Sequence, residues 1–131
     1  MISTKGRYAL RLMIDIAEHS GEGCIPLKDI AERQEISKKY LEIIAKELVK
    51  GKMISGHGGR GGGYILCRRP EEYTVGELLE LTEGSLATVA CLAKDALPCS
   101  RSSVCKTLPL WKEFNKMVID YFYGKTLADL L

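Results

Sequence analysis

A mainly α fold with one small β-hairpin is what this sequence predicts, and three observations carry it. Apolar residues recur at three- and four-residue spacing in separate stretches along the chain. Helix-starting residues (Pro26, Ser37, Thr74 and Pro109) stand at the head of four of them. A run of glycines, Gly56 to Gly63, is interrupted only by His57 and Arg60 and sits between two short β-prone segments. Three helices followed by a hairpin within about seventy residues describe a winged helix-turn-helix. The long helix near the C-terminus is then a dimerisation helix, so the expected fold is a winged helix-turn-helix with a long C-terminal dimerisation helix.

Each element has its own justification. From Thr4 to about Ser20, Leu10, Met13, Ile14 and Ala17 follow helical spacing, and Ser20-Gly21-Glu22-Gly23 breaks it. Pro26 fits a first helical position, with Leu27, Ile30 and Ala31 as the inward stripe. After Gln34-Glu35-Ile36, Ser37 caps a third helix, and Ile36 and Leu41 stand where a hydrophobic staple places them. Its stripe is Leu41, Ile44, Ala45 and Leu48, and Gly51 stops it. Met53-Ile54-Ser55 and Tyr64-Ile65-Leu66-Cys67 read as strands, joined by glycines that supply the positive φ a tight hairpin requires. Thr74 and Glu77 form a capping box, with Tyr73 and Leu78 as its staple, opening a helix that ends at Gly84. Residues 85–108 lose periodicity. Pro109 opens the last long helix, and Thr126 to Asp129 can cap one further turn.

Two regions are expected: residues 1–70 as a DNA-binding winged helix-turn-helix, and residues 71–131 as a sensor loop with dimerisation helices, intertwined in the dimer. Charge divides at the same place. Up to Pro70 there are 13 Lys/Arg against 8 Asp/Glu, and beyond it 6 against 9. A basic first region suits a polyanion. No apolar run reaches the roughly 18–20 residues that span a bilayer, and Ile2-Ser3-Thr4-Lys5-Gly6-Arg7 has no secretory pattern, so a cytoplasmic protein is expected. The last helix carries Leu110, Trp111, Phe114, Met117, Val118, Ile119, Tyr121, Phe122 and Tyr123 over more than one face. A helix that covers only its own core needs one stripe, so a homodimer is expected.

The third helix leaves Lys38, Lys39, Glu42, Lys46 and Lys50 outward. Lysines at the exposed start of a helix suit phosphates, and Glu42 can accept a hydrogen bond from cytosine N4 in double-stranded DNA. Arg60 at the hairpin tip can enter a minor groove or sit on a phosphate. A generic helical hairpin with a solvated face is the bland alternative. The tip also matches G-x-G-x-x-G at Gly56, Gly58 and Gly61. Dinucleotide binding is excluded, because that fingerprint must open a helix, whereas this one leads into a return strand.

Five cysteines, Cys24, Cys67, Cys91, Cys99 and Cys105, are an odd number, which argues against a disulfide framework. Cys91, Cys99 and Cys105 follow C-x(7)-C-x(5)-C in the irregular segment, where a loop lets thiolates converge on an iron–sulfur cluster or zinc. Buried thiols and a redox dithiol are the alternatives. Cys24 and Cys67 read as core or incidental, and His19 and His57 have no ligand partners at helical spacing. A small metal or redox enzyme lacks support, since no nucleophile–base or paired-carboxylate arrangement is present.

Taken in order, Ser3 to Leu10, Ile36 to Glu42, Gly61 to Tyr64, Thr74 to Glu77 and the cysteine loop resemble the Rrf-two family of bacterial transcription regulators, in its IscR-like, iron–sulfur-sensing branch. The resemblance covers essentially the whole chain. It implies a homodimer on an operator duplex, most often as a repressor, with Ser37, Lys39, Tyr40 and Glu42 facing the groove beside Lys38, and Gly59 and Arg60 at the wing. It implies Cys91, Cys99 and Cys105 as ligands of a 2Fe–2S or 4Fe–4S cluster. Three departures stand out: Gly58 where many relatives have a wing arginine, Leu108 where some have a ligating histidine, and Arg7 where others have a ligating carboxylate. The fourth ligand is therefore unidentified. A cluster-free member sensing thiol redox or a partner protein is the alternative within the family.

Overall fold

The computed structural model describes residues 2–131. Among them, α1 spans Thr4–Glu18, α2 Leu27–Gln34, α3 Lys38–Lys50, β1 Ile54–His57, β2 Gly63–Leu66, α4 Val75–Glu83 and α5 Leu108–Tyr123. Short 3-10 turns occupy Ser20–Glu22, Pro70–Glu72, Ala90–Leu92 and Ala128–Leu130.

The main core is closed by α1, α2, α3, the base of the hairpin and α4. Leu12, Met13, Ile16, Ile30, Leu41, Ile44, Leu48, Ile54 and Leu78 are fully or almost fully buried together. Both staples close: Ile36 with Leu41, and Tyr73 with Leu78, are buried pairs at the starts of α3 and α4. The caps form as well. Ser37 Oγ accepts from the Tyr40 N–H, while Thr74 Oγ1 accepts from the Glu77 N–H and the Glu77 carboxylate accepts from the Thr74 N–H.

Several expectations shift. In α1 the buried face is Ala9, Leu12, Met13, Ile16 and Ala17, leaving Leu10 and Ile14 half-buried. The reason is that α2, α3 and α4 all pack on α1, so its buried arc is wider than one stripe and turned from the expected one. Pro26 is the N-cap of α2 rather than its first residue, and Ala31 is only half-buried. The strands begin and end differently, because the ladder runs Ile54↔Leu66, Ser55↔Ile65, Gly56↔Tyr64 and His57↔Gly63. Gly56 and His57 thus belong to the hairpin, and only residues 58–62 make its turn. Leu108, not Pro109, begins α5. Cys24 is half-buried and Cys67 exposed, so neither is a core residue.

One long-range closure had no local signal. Beyond α5 the chain returns to the start of α4: the Val75 N–H donates to Lys125 O, and the Leu127 N–H donates to Tyr73 O. Leu127 is thereby fully buried in the main core. Asp129 and Thr126 exchange side-chain-to-backbone hydrogen bonds, the expected final cap. The ring of Tyr123 lies against Gly76, where a Cβ would come within 2.4 Å of it. This contact and a small cluster of Val75, Leu79 and Leu86 with Ile119 and Phe122 seat α5 on α4.

Candidate functional site

Two places in this fold concentrate chemistry: the outward face of α3 with the hairpin, and the segment before α5.

The angle between α2 and α3 is held from behind by a charged network. Asp15 on α1 is 1% exposed and accepts from Arg33 at 2.7 and 3.1 Å and from Gln34 at 2.9 Å. Arg11 in turn donates to Gln34. Burial pushes the Asp15 carboxyl up, but the hydrogen bonds from Arg33 and Gln34 and the guanidinium charge outweigh it and hold it below the ordinary value. Glu35 then takes a left-handed conformation, φ 53° and ψ 44°, and redirects the chain into α3.

On α3 the exposed residues Ser37, Lys38, Lys39 and Glu42 stand clear of the core. Lys39, Glu42, Ile43, Lys46 and Val49 line one open groove, whose other wall is Gly56 and Tyr64 of the hairpin. Tyr40 lies apart from them. It is half-buried and meets Tyr8 of α1 edge-on, with ring centroids 5.7 Å apart. Gly59 and Arg60 are exposed at the hairpin turn, where Gly59 and Gly61 have φ near +80° and +75°. Arg60 makes no hydrogen bond or ion pair among the described residues.

The hairpin is anchored at both edges of its base. Ile25 and Tyr64 exchange two 2.9 Å backbone hydrogen bonds, an isolated antiparallel bridge that ties the α1–α2 linker to β2. The fully buried Tyr73 hydroxyl donates to Met53 O at 2.6 Å and accepts from the Cys67 and Arg68 N–H groups. Arg68 stacks over the Tyr73 ring and pairs with Glu77, the capping residue of α4. Burial raises the Glu77 carboxyl, but Arg68 and the Thr74 N–H bring it below its ordinary value. The wing root and α4 are therefore one hydrogen-bonded unit.

The cysteine segment is different. Cys91, Cys99 and Cys105 line a single small pocket with Leu92, Pro98, Ser102, Leu108 and Lys112. Its possible donors are three thiols, one hydroxyl and one amine; no carboxylate or imidazole lines it. Thiolates suit iron–sulfur clusters and zinc. Among the described residues no three His, Cys, Asp or Glu side chains converge closely enough to grip one metal ion, so the thiols share a pocket without yet forming a closed ligand set. Hydrogen bonding from Thr107 and the charge of Arg101 lower the Cys105 thiol below its ordinary value. Backbone hydrogen bonds within residues 89–104 are local turns. Thr88 ties the start of the segment to Asn115 of α5 through its N–H and hydroxyl.

Comparison with known proteins decides what this combination is. The Rrf2 family profile, described as an iron-dependent transcriptional regulator, matches residues 2–131. The chain belongs to the Rrf2 family. The HTH-type transcriptional regulator IscR of Erwinia tasmaniensis is 36% identical over 130 residues, 99% of this chain and 78% of that protein. Among solved structures, CymR, the global cysteine regulator of B. subtilis, matches with a TM-score of 0.80 at 34% identity, over 99% of this chain and 95% of its own. IscR of T. potens matches with a TM-score of 0.75 at 33% identity, over 99% and 85%. This Rrf2 protein has the winged helix-turn-helix fold and is a DNA-binding transcription regulator, not an enzyme.

Within this Rrf2 chain, the residues expected at the groove divide. Lys39 and Glu42 share the groove wall, Ser37 and Lys38 sit exposed at the helix start, and Tyr40 supports α3 from the side. Leu108 does reach the cysteine pocket, but has no donor to offer; Arg7 instead donates to Thr4. Sequence reading missed Ile43 on the groove, the Asp15–Arg33 pair and the Tyr73 anchor. Ile43 was hidden by its lysine and glutamate neighbours. The other two are long-range pairings, for which helical periodicity carries no signal.

Proposed function

We propose that this chain is a homodimeric, cytoplasmic repressor whose affinity for an operator duplex is set by an iron–sulfur cluster held by Cys91, Cys99 and Cys105. The observation that carries this reading is the gathering of those three thiols, and of no carboxylate, around one pocket against the first turn of α5. In a cytoplasmic Rrf2 regulator, iron–sulfur chemistry supplies sensitivity to iron supply, oxygen or nitric oxide.

The chain's own residues supply the rest. Residues 1–70 read DNA: Ser37, Lys38 and Lys39 meet phosphates at the helix start, and Glu42 accepts from a cytosine. Tyr40 braces the reading helix from the side against Tyr8, and Gly59 and Arg60 bring the wing to the minor groove. Residues 71–131 sense and pair. Cys91, Cys99 and Cys105 would hold the cluster, and its gain or loss would order or loosen residues 85–108. Cys105 and Thr107 adjoin α5, and Thr88 holds Asn115, so that ordering reaches the helix whose apolar face meets the partner. The spacing of the two reading helices on DNA follows.

The test is anaerobic purification with a visible spectrum and iron and sulfide analysis, repeated on Cys99→Ala. A brown protein with comparable iron and sulfide, colourless in the variant, supports the reading. A colourless protein that resists anaerobic reconstitution contradicts it. The lowered Cys105 thiol favours a second reading, a cluster-free thiol sensor, which that outcome would bring forward.

A further inference from the structure

Beyond the buried stripe of α3, two large aliphatic side chains are exposed, Ile43 at 56% and Val49 at 40%. Ile43 stands in a particular company. Lys39, Glu42, Ile43 and Lys46 fall at i, i+3, i+4 and i+7, one face of the helix, and all four line the groove shared with the hairpin. Two amines complement a polyanion, and one carboxylate can accept from a base edge. Ile43 offers neither charge nor hydrogen bond.

We propose that Ile43 is a specificity-determining residue that packs on the C5-methyl of a thymine, next to the base that Glu42 reads. The thymine methyl is the one apolar feature that base edges present in the major groove, and branched or apolar side chains are its complement. Flanked by Lys39 and Lys46, Ile43 is pressed toward DNA by their attraction to phosphate on either side. Glu42 and Ile43 together then select a cytosine and a neighbouring thymine, by one hydrogen bond and one apolar contact. A hydroxymethyl- or amino-bearing edge at that step would leave a polar group against the side chain, so Ile43 also discriminates by exclusion.

This inference rests on α3 being the reading helix, and the experiment separates the two. The full-length protein is used to enrich binding sequences from random duplex DNA, and thymines of the winning half-site are replaced one at a time by deoxyuridine, which deletes only the methyl. For the natural protein, one position per half-site is expected to weaken binding about fourfold, the factor associated with one buried methyl group. With Ile43→Ala, which is exposed and helix-compatible, that penalty disappears while penalties at other positions persist. Lys39→Ala weakens every sequence alike. If Lys39→Ala weakens binding but the deoxyuridine penalty is the same in Ile43→Ala, or is absent at every thymine, the Ile43 assignment is overturned and the reading helix stands. A protein that enriches no duplex sequence overturns both.

Discussion

Up to Gly84 every α-helix buries a row of side chains in the same chain, whereas α5, sixteen residues long, buries none of its own. The contrast is as marked in polar groups. Asp15 is buried with its charge met by Arg33 and Gln34, while the cysteine segment keeps Cys91 and Cys99 exposed and its backbone bonded only in local turns. Within one chain, then, the part up to Gly84 is packed and the part from residue 85 through α5 is left open. Exposed apolar surface of the extent of Leu110, Phe114, Met117 and Tyr121 marks a site that another body covers. Under the proposed function, a partner subunit would cover α5 and a cluster would close the thiols.

The sharpest way to break the comparison is to charge the unfinished face. Met117 is 64% exposed on α5. Met117→Glu is expected to leave the circular dichroism and melting of the single chain unchanged, convert a dimer to a monomer in sedimentation, and lower operator affinity by about 10²–10⁴-fold through lost bivalency. An operator affinity within threefold of the natural protein's would contradict the pairing role.

The reverse experiment injures the finished region. Tyr73→Phe removes one oxygen that serves Met53 O, Cys67 N–H and Arg68 N–H. Losing one buried and two part-buried hydrogen bonds, with the Cys67 N–H still reaching Met53 O, is expected to lower unfolding free energy by about 1–3 kcal/mol in a denaturant titration. Dimer affinity should change less than stability, because the Tyr73 hydroxyl itself touches only the wing root.

Asp15 sharpens the same side of the comparison by pH. Its folded-state value lies below the ordinary 3.8, so its contribution is present at neutral pH and is lost as pH falls through that lowered value. Asp15→Asn is expected to lower stability by about 2 kcal/mol at pH 7, and the gap between the two proteins should narrow in strong acid. A gap that stays constant from pH 7 to pH 2 would mean the carboxylate charge is not what Arg33 holds.

How far the sequence could be read follows this division. Short-range features were legible: the Ser37 cap, the Thr74–Glu77 box and both staples form as their spacing requires, because capping involves atoms within four residues. The α1 face was read out of phase, because packing partners on several sides bury residues that one stripe does not include. The hairpin was read too short at its first strand, since Gly56 has little β-propensity and pairs only because Tyr64 faces it. Leu127 and Arg33 find their partners across the fold. At the candidate sites, the structure puts Cys91, Cys99 and Cys105 around one pocket and Lys39 with Glu42 along one cleft, while Tyr40, expected beside them, turns to Tyr8; Ile43 carried an apolar signal that its charged neighbours concealed.

The smallest expected effect concerns the thiols themselves. In protein without a cluster, Cys105 is expected to alkylate faster than Cys91 or Cys99 at pH 7.5, by less than about tenfold, because Thr107 favours its thiolate. Thr107→Val should remove the difference in a mass-spectrometric time course, and unequal rates surviving in that variant would assign the effect elsewhere.

The central claim is that pocket occupancy sets operator affinity, and one titration addresses it directly. Fluorescence anisotropy on the selected operator is measured for anaerobically prepared protein, for the same protein after chelation, and for Cys99→Ala. Coupling between the sites predicts that removal of the cluster shifts affinity by about 5–150-fold in the natural protein and by nothing in the variant. Equal affinities before and after chelation, with the brown colour demonstrably lost, would contradict it.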